Sequence, residues 1–217
     1  MKLSVAVKKP YSQIKNIIFD WGGVITNINT EKSAEAFEKI GFKEFGKHYG
    51  LAEQKDFYKQ FEAGKLTAAE FRTRIRSYIS KEVTDQEIDD AWTAMLLDTP
   101  ADRLKLLENL KSGYRTFLLS NTSTLHVDFC YNNLISKYGK MGFAPLFEKV
   151  YFSFQVGMRK PDLRIFKLII DENRLIPCET LYIDDVLANV EAAAKTGMIA
   201  YHLQPPVSLT DIFEPEI

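Results

Sequence analysis

Short, almost continuous apolar runs alternate along the chain with stretches in which apolar residues recur every three or four positions. The short runs are rich in β-branched and aromatic residues, which is typical of strands that are buried on both faces of a parallel sheet. These runs lie at residues 17–19, 116–119, 150–152, 181–183 and 199–203. The pattern therefore predicts five strands of one sheet covered by helices.

Helical patterns separate the later strands. Pro161 is suited to the first turn of a helix, and apolar residues follow it at positions 165, 166, 169 and 170. A second helix is predicted from about Leu187, with Gly197 placed to end it. This alternation predicts an α/β fold, a Rossmann-like three-layer core around a parallel sheet.

The stretch between about residues 30 and 99 has no convincing strand pattern. Thr67 with Glu70, and Thr84 with Glu87, instead have the spacing of capping boxes, which mark helix starts. We therefore expect an α-helical cap, residues 29–105, inserted between the first two strands. The core is then formed by residues 1–28 and 106–217.

Composition and charge narrow the possible partners and location. The formal net charge is −1, so no strong overall field attracts nucleic acid or an anionic membrane. No apolar run reaches the roughly 20 residues of a membrane helix, and the N-terminus does not resemble a secretory signal. We expect Cys130 and Cys178 to be two buried thiols. Together these features favour a cytoplasmic protein, and they leave its oligomeric state open.

Polar residues follow the predicted strands at the edge where ligands bind in open α/β sheets. Three acidic groups, a lysine and a hydroxyl are expected to converge there. They are Asp20 after the first strand, Ser120 and Asn121 after the second, Lys160 after the third, and Asp184 and Asp185 after the fourth.

This set of groups suits magnesium-assisted phosphate chemistry. Asp20 and Asp185 offer the oxygen ligands that Mg²⁺ prefers. Ser120 can donate a hydrogen bond to a phosphate oxygen, and Lys160 can neutralise charge on phosphate and carboxylate. A carboxylate can then act as nucleophile and form an aspartyl-phosphate. His126 also follows the second strand, but a lone histidine on a helix is more often structural than catalytic.

Four segments together resemble the motifs of the haloacid dehalogenase (HAD) superfamily, in the same order and with a helical insertion in the expected place. The nearest resemblance is to its sugar-phosphate phosphatase branch with a small helical cap, which includes a glucose-1-phosphate phosphatase. The four segments are residues 17–24 (IIFDWGGV), 119–122 (LSNT), 157–162 (GMRKPD) and 182–185 (YIDD) followed by Asn189.

The resemblance implies a role for each matching residue. Asp20 is implied as the nucleophile, and Asp184 as an additional or water-mediated metal ligand. The implied Mg²⁺ ligands are Asp20, Asp184, Asp185 and the backbone carbonyl of Gly22, and the implied phosphate-binding residues are Ser120 and Lys160. We also expect Asn121, in the same motif as Ser120, to bind the substrate.

One position departs from the common pattern of the superfamily. Most of its phosphatases have a second aspartate two residues after the nucleophile as general acid and base, whereas this chain has Gly22 there. We expect a Mg²⁺-dependent phosphatase of small phosphorylated metabolites, with sugar phosphates as the leading class. The alternatives are a catalytically impaired phosphate-binding or regulatory protein, which Gly22 favours, and a 2-haloacid dehalogenase. The paired acids at Asp184 and Asp185 argue against the dehalogenase, because that reaction needs no metal.

Overall fold

The computed structural model describes residues 2–3, 13–49, 56–139 and 144–214, and its centre is a five-stranded parallel sheet. A separate antiparallel pair joins the two ends of the described chain. The strands are β1 (Lys2–Leu3), β2 (Asn16–Phe19), β3 (Arg115–Ser120), β4 (Lys149–Phe152), β5 (Thr180–Asp184), β6 (Ile199–His202) and β7 (Phe213–Glu214). The five strands of the central sheet lie within one residue of the predicted bounds.

The central sheet has the order β4-β3-β2-β5-β6, so β2 lies in the middle with β3 on one side and β5 on the other. Phe19 at the end of β2 is in register with Leu118 on β3 and with Ile183 on β5. The carboxyl ends of these three strands consequently meet at one edge, where the candidate residues follow.

Helices cover both faces of this sheet and also form the inserted cap. Three short 3₁₀ turns lie at Ala144–Leu146, Pro177–Glu179 and Leu209–Ile212. The helices are α1 (Thr30–Lys39), α2 (Phe45–Tyr49), α3 (Asp56–Glu62), α4 (Ala68–Arg76), α5 (Asp85–Thr93), α6 (Ala101–Leu110), α7 (Thr124–Tyr138), α8 (Ser153–Val156), α9 (Leu163–Asn173) and α10 (Leu187–Ala194). Each helix in the described part of the chain is too short or too polar to cross a membrane.

Alternate residues of each strand point to opposite faces, and this alternation builds the three layers. Ile17 and Phe19 pack on one face with leucines of α6 and residues of α7. Ile18 and Tyr182 pack on the other face with Phe166 of α9 and residues of α10. The predicted three-layer α/β core with a parallel sheet is confirmed.

The helix after Lys160 begins later than the sequence pattern predicts. Pro161 was expected in its first turn, but α9 begins at Leu163. Asp162 is the N-cap residue, and its side chain accepts a hydrogen bond from the backbone N–H of Arg164 at 2.9 Å. A capping carboxylate satisfies an amide of the first turn, so it determines where the helix starts.

The expectation of two buried thiols is half right. Both cysteines are free. Cys130 is a residue of α7 that is buried in the core, but Cys178 is exposed in the 3₁₀ turn before β5.

The cap consists of α1–α5 around an aromatic core. Trp92 and Phe37 are fully buried, and Phe61 and Phe71 stack with ring centroids 4.2 Å apart. Such ring pairs add to the stabilisation that apolar burial gives. Both predicted capping boxes are present, at the starts of α4 and α5.

Helix α6 packs with the sheet and not with the cap. Leu104, Leu106, Leu107 and Leu110 belong to the apolar cluster that contains the β2 side chains. The expected boundary at residue 105 lies inside this helix, so we propose that the cap ends before Ala101.

The two segments that connect the cap to the core run antiparallel and are hydrogen-bonded to each other. The N–H of Asn27 donates to the carbonyl of Asp98, and the N–H of Leu97 donates to the carbonyl of Asn27, both at 2.9 Å. The N–H of Asn29 donates to the carbonyl of Met95, also at 2.9 Å. The chain therefore enters and leaves the cap side by side.

Candidate active site

Asp20 lies directly after β2, at the edge of the sheet where the ends of β3 and β5 meet. Its backbone N–H donates to the carbonyl of Ile183 at 2.9 Å, which continues the strand pairing by one residue. The N–H of Trp21 donates to Asp20 Oδ1 at 2.7 Å. Strand pairing and a local hydrogen bond thus fix the position of the carboxylate.

Lys160 comes from the loop before α9 and reaches the same edge with a fully buried side chain. Its Nζ lies 2.8 Å from Asp20 Oδ1 and 2.7 Å from Asp184 Oδ2, and it donates to the carbonyl of Leu119 at 2.9 Å. A buried ammonium requires such partners, because its transfer out of water is otherwise very costly.

Asn121 holds the backbone of Lys160 in place. Its Oδ1 accepts from the Lys160 N–H, and its Nδ2 donates to the Lys160 carbonyl, each at 2.9 Å. Its motif predicts that Asn121 binds the substrate, and in the structure its amide contacts the lysine loop.

Asp184 accepts hydrogen bonds from several surrounding groups besides Lys160. Tyr182 Oη donates to Asp184 Oδ2, and the N–H of Val186 donates to Oδ1 at 2.8 Å. Asn189 Nδ2 lies 3.1 Å from both oxygens. These donors stabilise the ionised form of the carboxylate and fix its orientation.

Three carboxylates gather around the lysine. Asp20, Asp184 and Asp185 each offer an oxygen within 4.8 Å of the others. Burial, together with the charges of Asp184 and Asp185, raises the pKa of Asp20 to about 8. Burial and the charge of Asp184 raise the pKa of Asp185 to about 6.

Lys160 and the other donors around Asp184 together keep this carboxylate ionised. Burial opposes ionisation of Asp184, but its ion pair with Lys160 lowers its pKa below the usual value. Burial likewise opposes the charge on Lys160, and Asp184 and Asp20 raise its pKa above the usual value. The site therefore has more negative than positive charge when all of these groups are ionised.

The donor set fits a magnesium ion. Mg²⁺ is a hard cation that takes oxygen ligands, and it is commonly bound by one or two carboxylates together with water and substrate phosphate. Burial and the neighbouring carboxylates raise the pKa values of Asp20 and Asp185, and the positive charge of Lys160 alone does not offset these effects. A divalent cation next to both oxygens would supply further positive charge.

Gly23 lets Asp185 approach the loop after Asp20, a role that no motif in the sequence predicts. Its φ is +74°, and a Cβ atom there would lie 2.1 Å from Asp185 Oδ2. At Gly22, by contrast, a Cβ would meet Ile28 Cγ2 at an ordinary 3.4 Å. The only available signal was the Gly-Gly pair beside an acidic strand end, which does not by itself distinguish the two positions.

Ser120 is buried at the end of β3, at the edge of the sheet where Asp20 lies. The loop that follows is fixed by Ser153, whose Oγ accepts from the Thr122 N–H at 2.9 Å and donates to the Thr122 carbonyl at 3.1 Å. Ser153 lies 31 positions from Thr122 in the sequence, so no motif spacing indicates this contact.

His126 lies against the cap. Its ring stacks on Trp92 with centroids 4.7 Å apart, and its Nε2 lies 3.1 Å from the Trp92 carbonyl oxygen. Burial lowers the pKa of His126 to about 4, so the ring is neutral at neutral pH. These contacts point to a structural role.

Comparison with known families agrees with the geometry. Residues 14–197 match the model of a family described as haloacid dehalogenase-like hydrolase.

Two curated proteins are similar over most of their length. D-ribitol-5-phosphate phosphatase of Bacteroides thetaiotaomicron is 33% identical over 85% of this chain and 89% of its own length. Sesquiterpene phosphatase astK of Aspergillus oryzae is 27% identical over 87% of this chain and 89% of its own length.

Among solved structures, the HAD family enzyme BT-2542 of B. thetaiotaomicron, in complex with magnesium and inorganic phosphate, has a TM-score of 0.85 and 35% identity. The superposition covers 93% of this chain and 100% of that one.

The two neighbouring glycines give a matched test of the metal site. Gly23→Ala places a methyl group against the Asp185 carboxylate and strains a left-handed backbone, so we expect the Kd for Mg²⁺ to rise at least about tenfold. Gly22→Ala introduces the same methyl where there is space and is expected to change the Kd less than about threefold. Titration calorimetry with MgCl₂ measures both. Equal effects of the two substitutions would contradict the assigned role of Gly23.

Magnesium binding should depend on pH, because the metal binds ionised carboxylates. With the pKa of Asp20 near 8 and that of Asp185 near 6, protons must leave when the metal binds below these values. Affinity should therefore increase as pH rises from 6 to 8, with release of about one proton per Mg²⁺ at pH 7. Calorimetry in two buffers of different ionisation enthalpy counts these protons. An affinity that is flat with pH and no proton release would refute the assignment.

Proposed function

The chain belongs to the haloacid dehalogenase-like hydrolase family, and on that basis we propose that it is a magnesium-dependent phosphatase of small phosphorylated metabolites with Asp20 as nucleophile. The observation that carries this proposal is the position of Lys160 Nζ, within 2.8 Å of both Asp20 and Asp184 at the edge of the sheet. A lysine buried between a nucleophilic and an orienting carboxylate is suited to a phosphoryl group that brings further negative charge.

Asp20 attacks the phosphorus in the first step. The Trp21 N–H and Lys160 both contact Oδ1, so we assign the attack to Oδ2. A bond forms from Oδ2 to phosphorus, and the bond from phosphorus to the alcohol oxygen breaks with its electron pair. Lys160 and Ser120 bind the phosphoryl oxygens, and Asn121 holds the lysine loop.

Water completes the reaction by attacking the phosphorus of the aspartyl-phosphate. The bond between phosphorus and Asp20 Oδ2 breaks with its electron pair, which regenerates the carboxylate. Inorganic phosphate leaves with the oxygen of the attacking water, and the proton of that water passes to solvent. The proposed Mg²⁺ ligands are Asp20, Asp185 and the carbonyl of Gly22. Because the oxygens of Asp184 are engaged by Lys160, Tyr182 and Asn189, we assign Asp184 a water-mediated contact. When bound, the metal would neutralise phosphate charge and help to align the phosphate with the nucleophile.

The leaving oxygen needs a proton, and position 22 offers no carboxyl group to donate it. Ile28 lies beside Gly22 and adds an apolar surface there. We therefore assign the proton to water. A leaving group that needs little protonation, such as an anomeric sugar oxygen, suits this arrangement best.

The substrate class is proposed from the similar proteins. One relative is named for a sugar-alcohol phosphate and another for a sesquiterpene phosphate. The higher identity to the former favours phosphorylated sugars and sugar alcohols. Within that class, the missing acid at position 22 favours sugars phosphorylated at the anomeric oxygen, which a sugar alcohol does not have. The cap would cover the substrate and select its leaving group.

A second candidate function, a catalytically impaired phosphate-binding protein, is favoured by Gly22 alone. The buried cluster of Asp20, Lys160, Asp184 and Asp185 favours the phosphatase, since a binding protein does not need a nucleophilic carboxylate beside the lysine.

The nucleophile is tested by phosphate release from a panel of sugar and sugar-alcohol phosphates, with Mg²⁺ and with EDTA. Asp20→Asn removes the attacking oxygen, and we expect turnover to fall at least about 10⁴-fold while the fold is retained. Asp128→Asn, at an exposed carboxylate on α7, is the control and should keep wild-type turnover. If the wild type binds Mg²⁺ but releases no phosphate from any substrate, the phosphate-binding candidate replaces the phosphatase.

Restoring an acid at position 22 should accelerate poor leaving groups. The backbone of Gly22 is not left-handed and a Cβ fits there, so the aspartate of Gly22→Asp can be accommodated. General acid–base catalysis typically raises the rate roughly 10²–10⁴-fold. We therefore expect Gly22→Asp to raise the rate of phosphate release at least about tenfold on alkyl phosphates and by a smaller factor on 4-nitrophenyl phosphate. Gly22→Asn has the same shape without the acid and should give no gain. Equal behaviour of the two variants would show that protonation does not limit the rate.

A further inference from the structure

An ion pair between a buried carboxylate and a partly exposed arginine crosses the boundary between cap and core. Glu62 is the last residue of cap helix α3, and its side chain is 5% exposed. Arg159, in the core loop before α9, contacts Glu62 Oε2 through Nε at 2.8 Å and through a terminal nitrogen at 2.5 Å. The other oxygen of Glu62 accepts from the hydroxyl of Tyr49 at 3.3 Å. The chemistry assigned to the site above does not use this pair.

The pair joins the core one residue before the proposed phosphate-binding lysine. Asn121 holds the backbone of Lys160 on one side, and the side chain of Arg159 ties the preceding residue to the cap. A displacement of α3 would therefore pull on the loop that carries Lys160.

Close backbone packing accompanies the ion pair. Gly64, two residues after Glu62, has a φ of +67°, and a Cβ atom there would lie 2.1 Å from the carbonyl oxygen of Phe154 in α8. The backbone of the cap thus packs directly against the segment that precedes Arg159.

The same boundary is open to solvent beside the pair. A cleft of about 350 Å³ is lined by Lys59, Gln60 and Lys65 from the cap side and by Met158, Arg159 and Asp162 from the core side. Water can enter this cleft. At this part of the boundary the cap and core are therefore held together by the ion pair and not by apolar packing.

A second, uncharged contact joins the cap to the core elsewhere. Trp92 of α5 stacks on His126 of α7 and donates from Nε1 to Ser123 Oγ at 3.0 Å. Trp92 lies close to the returning connection at Met95. This contact leaves the cap attached when the ion pair is broken.

We propose that Glu62 and Arg159 form a latch that sets the position of the cap over the active site, and that Arg159 is a positioning residue for Lys160. The expected effect of the latch on turnover rests on the proposed function, whereas its expected effect on the position of the cap does not. Two nitrogens of the planar Arg159 guanidinium converge on Glu62 Oε2, so the contact restricts the orientation of the guanidinium as well as its distance.

The structural consequence is tested with two spin labels and without any substrate. Cys178 is an exposed thiol on the core and Cys130 is buried, so Cys178 and a cap cysteine from Ser80→Cys can be labelled selectively. Pulsed electron paramagnetic resonance should give a narrow cap–core distance distribution in the protein that carries only the two labels. We expect a broader and shifted distribution in Glu62→Gln.

A matched control is available inside the cap. Arg72 contacts Asp89 through two nitrogens, at 2.8 and 2.6 Å, with side chains about as sheltered as that of Arg159. Asp89→Asn removes one partner of this pair without crossing the boundary, and its distance distribution should match that of the unaltered protein. If Glu62→Gln does not fold, Arg159→Lys keeps the charge, loses the two-nitrogen contact, and serves the same test.

The kinetic consequence is a loss that depends on the leaving group. On the best metabolite of the phosphate panel, Glu62→Gln should lower kcat/KM by roughly tenfold to 100-fold, as expected of a misplaced site. On acetyl phosphate, whose small leaving group barely meets the cap, the loss should be smaller. An unchanged distance distribution, or equal losses on both substrates, would overturn the latch. A wild type without turnover would instead count against the proposed function and leave the distance measurement to decide the latch.

Discussion

The ammonium group of Lys160 lies between two buried carboxylates, and much of the surrounding structure serves to keep it there. Asn121 fixes its backbone, and Leu119 at the end of β3 accepts its third hydrogen bond. A charge so deeply buried is stable only with partners on several sides. The loop before α9, the end of β3 and the end of β5 must therefore meet within hydrogen-bonding distance, and the order of strands in the sheet makes that meeting possible.

The charge distribution around this lysine divides the carboxylates into two kinds. Asp184 is surrounded by donors and keeps its charge, whereas burial makes ionisation of Asp20 and Asp185 unfavourable without further positive charge. The fold therefore brings together groups that are mutually destabilising when the site is empty. Functional sites commonly have such perturbed groups, because the same arrangement that opposes ionisation in the free protein favours the binding of a cation and an anion together.

Most of the fold could be predicted from the sequence because its signals are local. Runs buried on both faces show the strands, and capping pairs such as Thr84 with Glu87 show the cap helices. The sequence also predicted which residues meet at the sheet edge, since parallel strands bring their carboxyl ends together. It did not show contacts that depend on tertiary packing. Gly23 matters because Asp185 approaches it from another strand, and the contact of Glu62 with Arg159 joins residues almost a hundred positions apart, for which no spacing rule exists.

The antiparallel connections between cap and core have a consequence for how such chains diversify. Asn27 and Asp98 are joined by a backbone hydrogen bond, so the two ends of the insertion lie next to each other. The insertion therefore places no more constraint on β2 and β3 than a single short loop would. Insertions of another length or composition can replace it at the same junction while the strand register and the lysine network remain as they are. Substrate recognition by the inserted cap and the chemistry at the sheet edge can therefore evolve almost independently of each other. Contacts such as that of Arg159 are what a new insertion must re-establish.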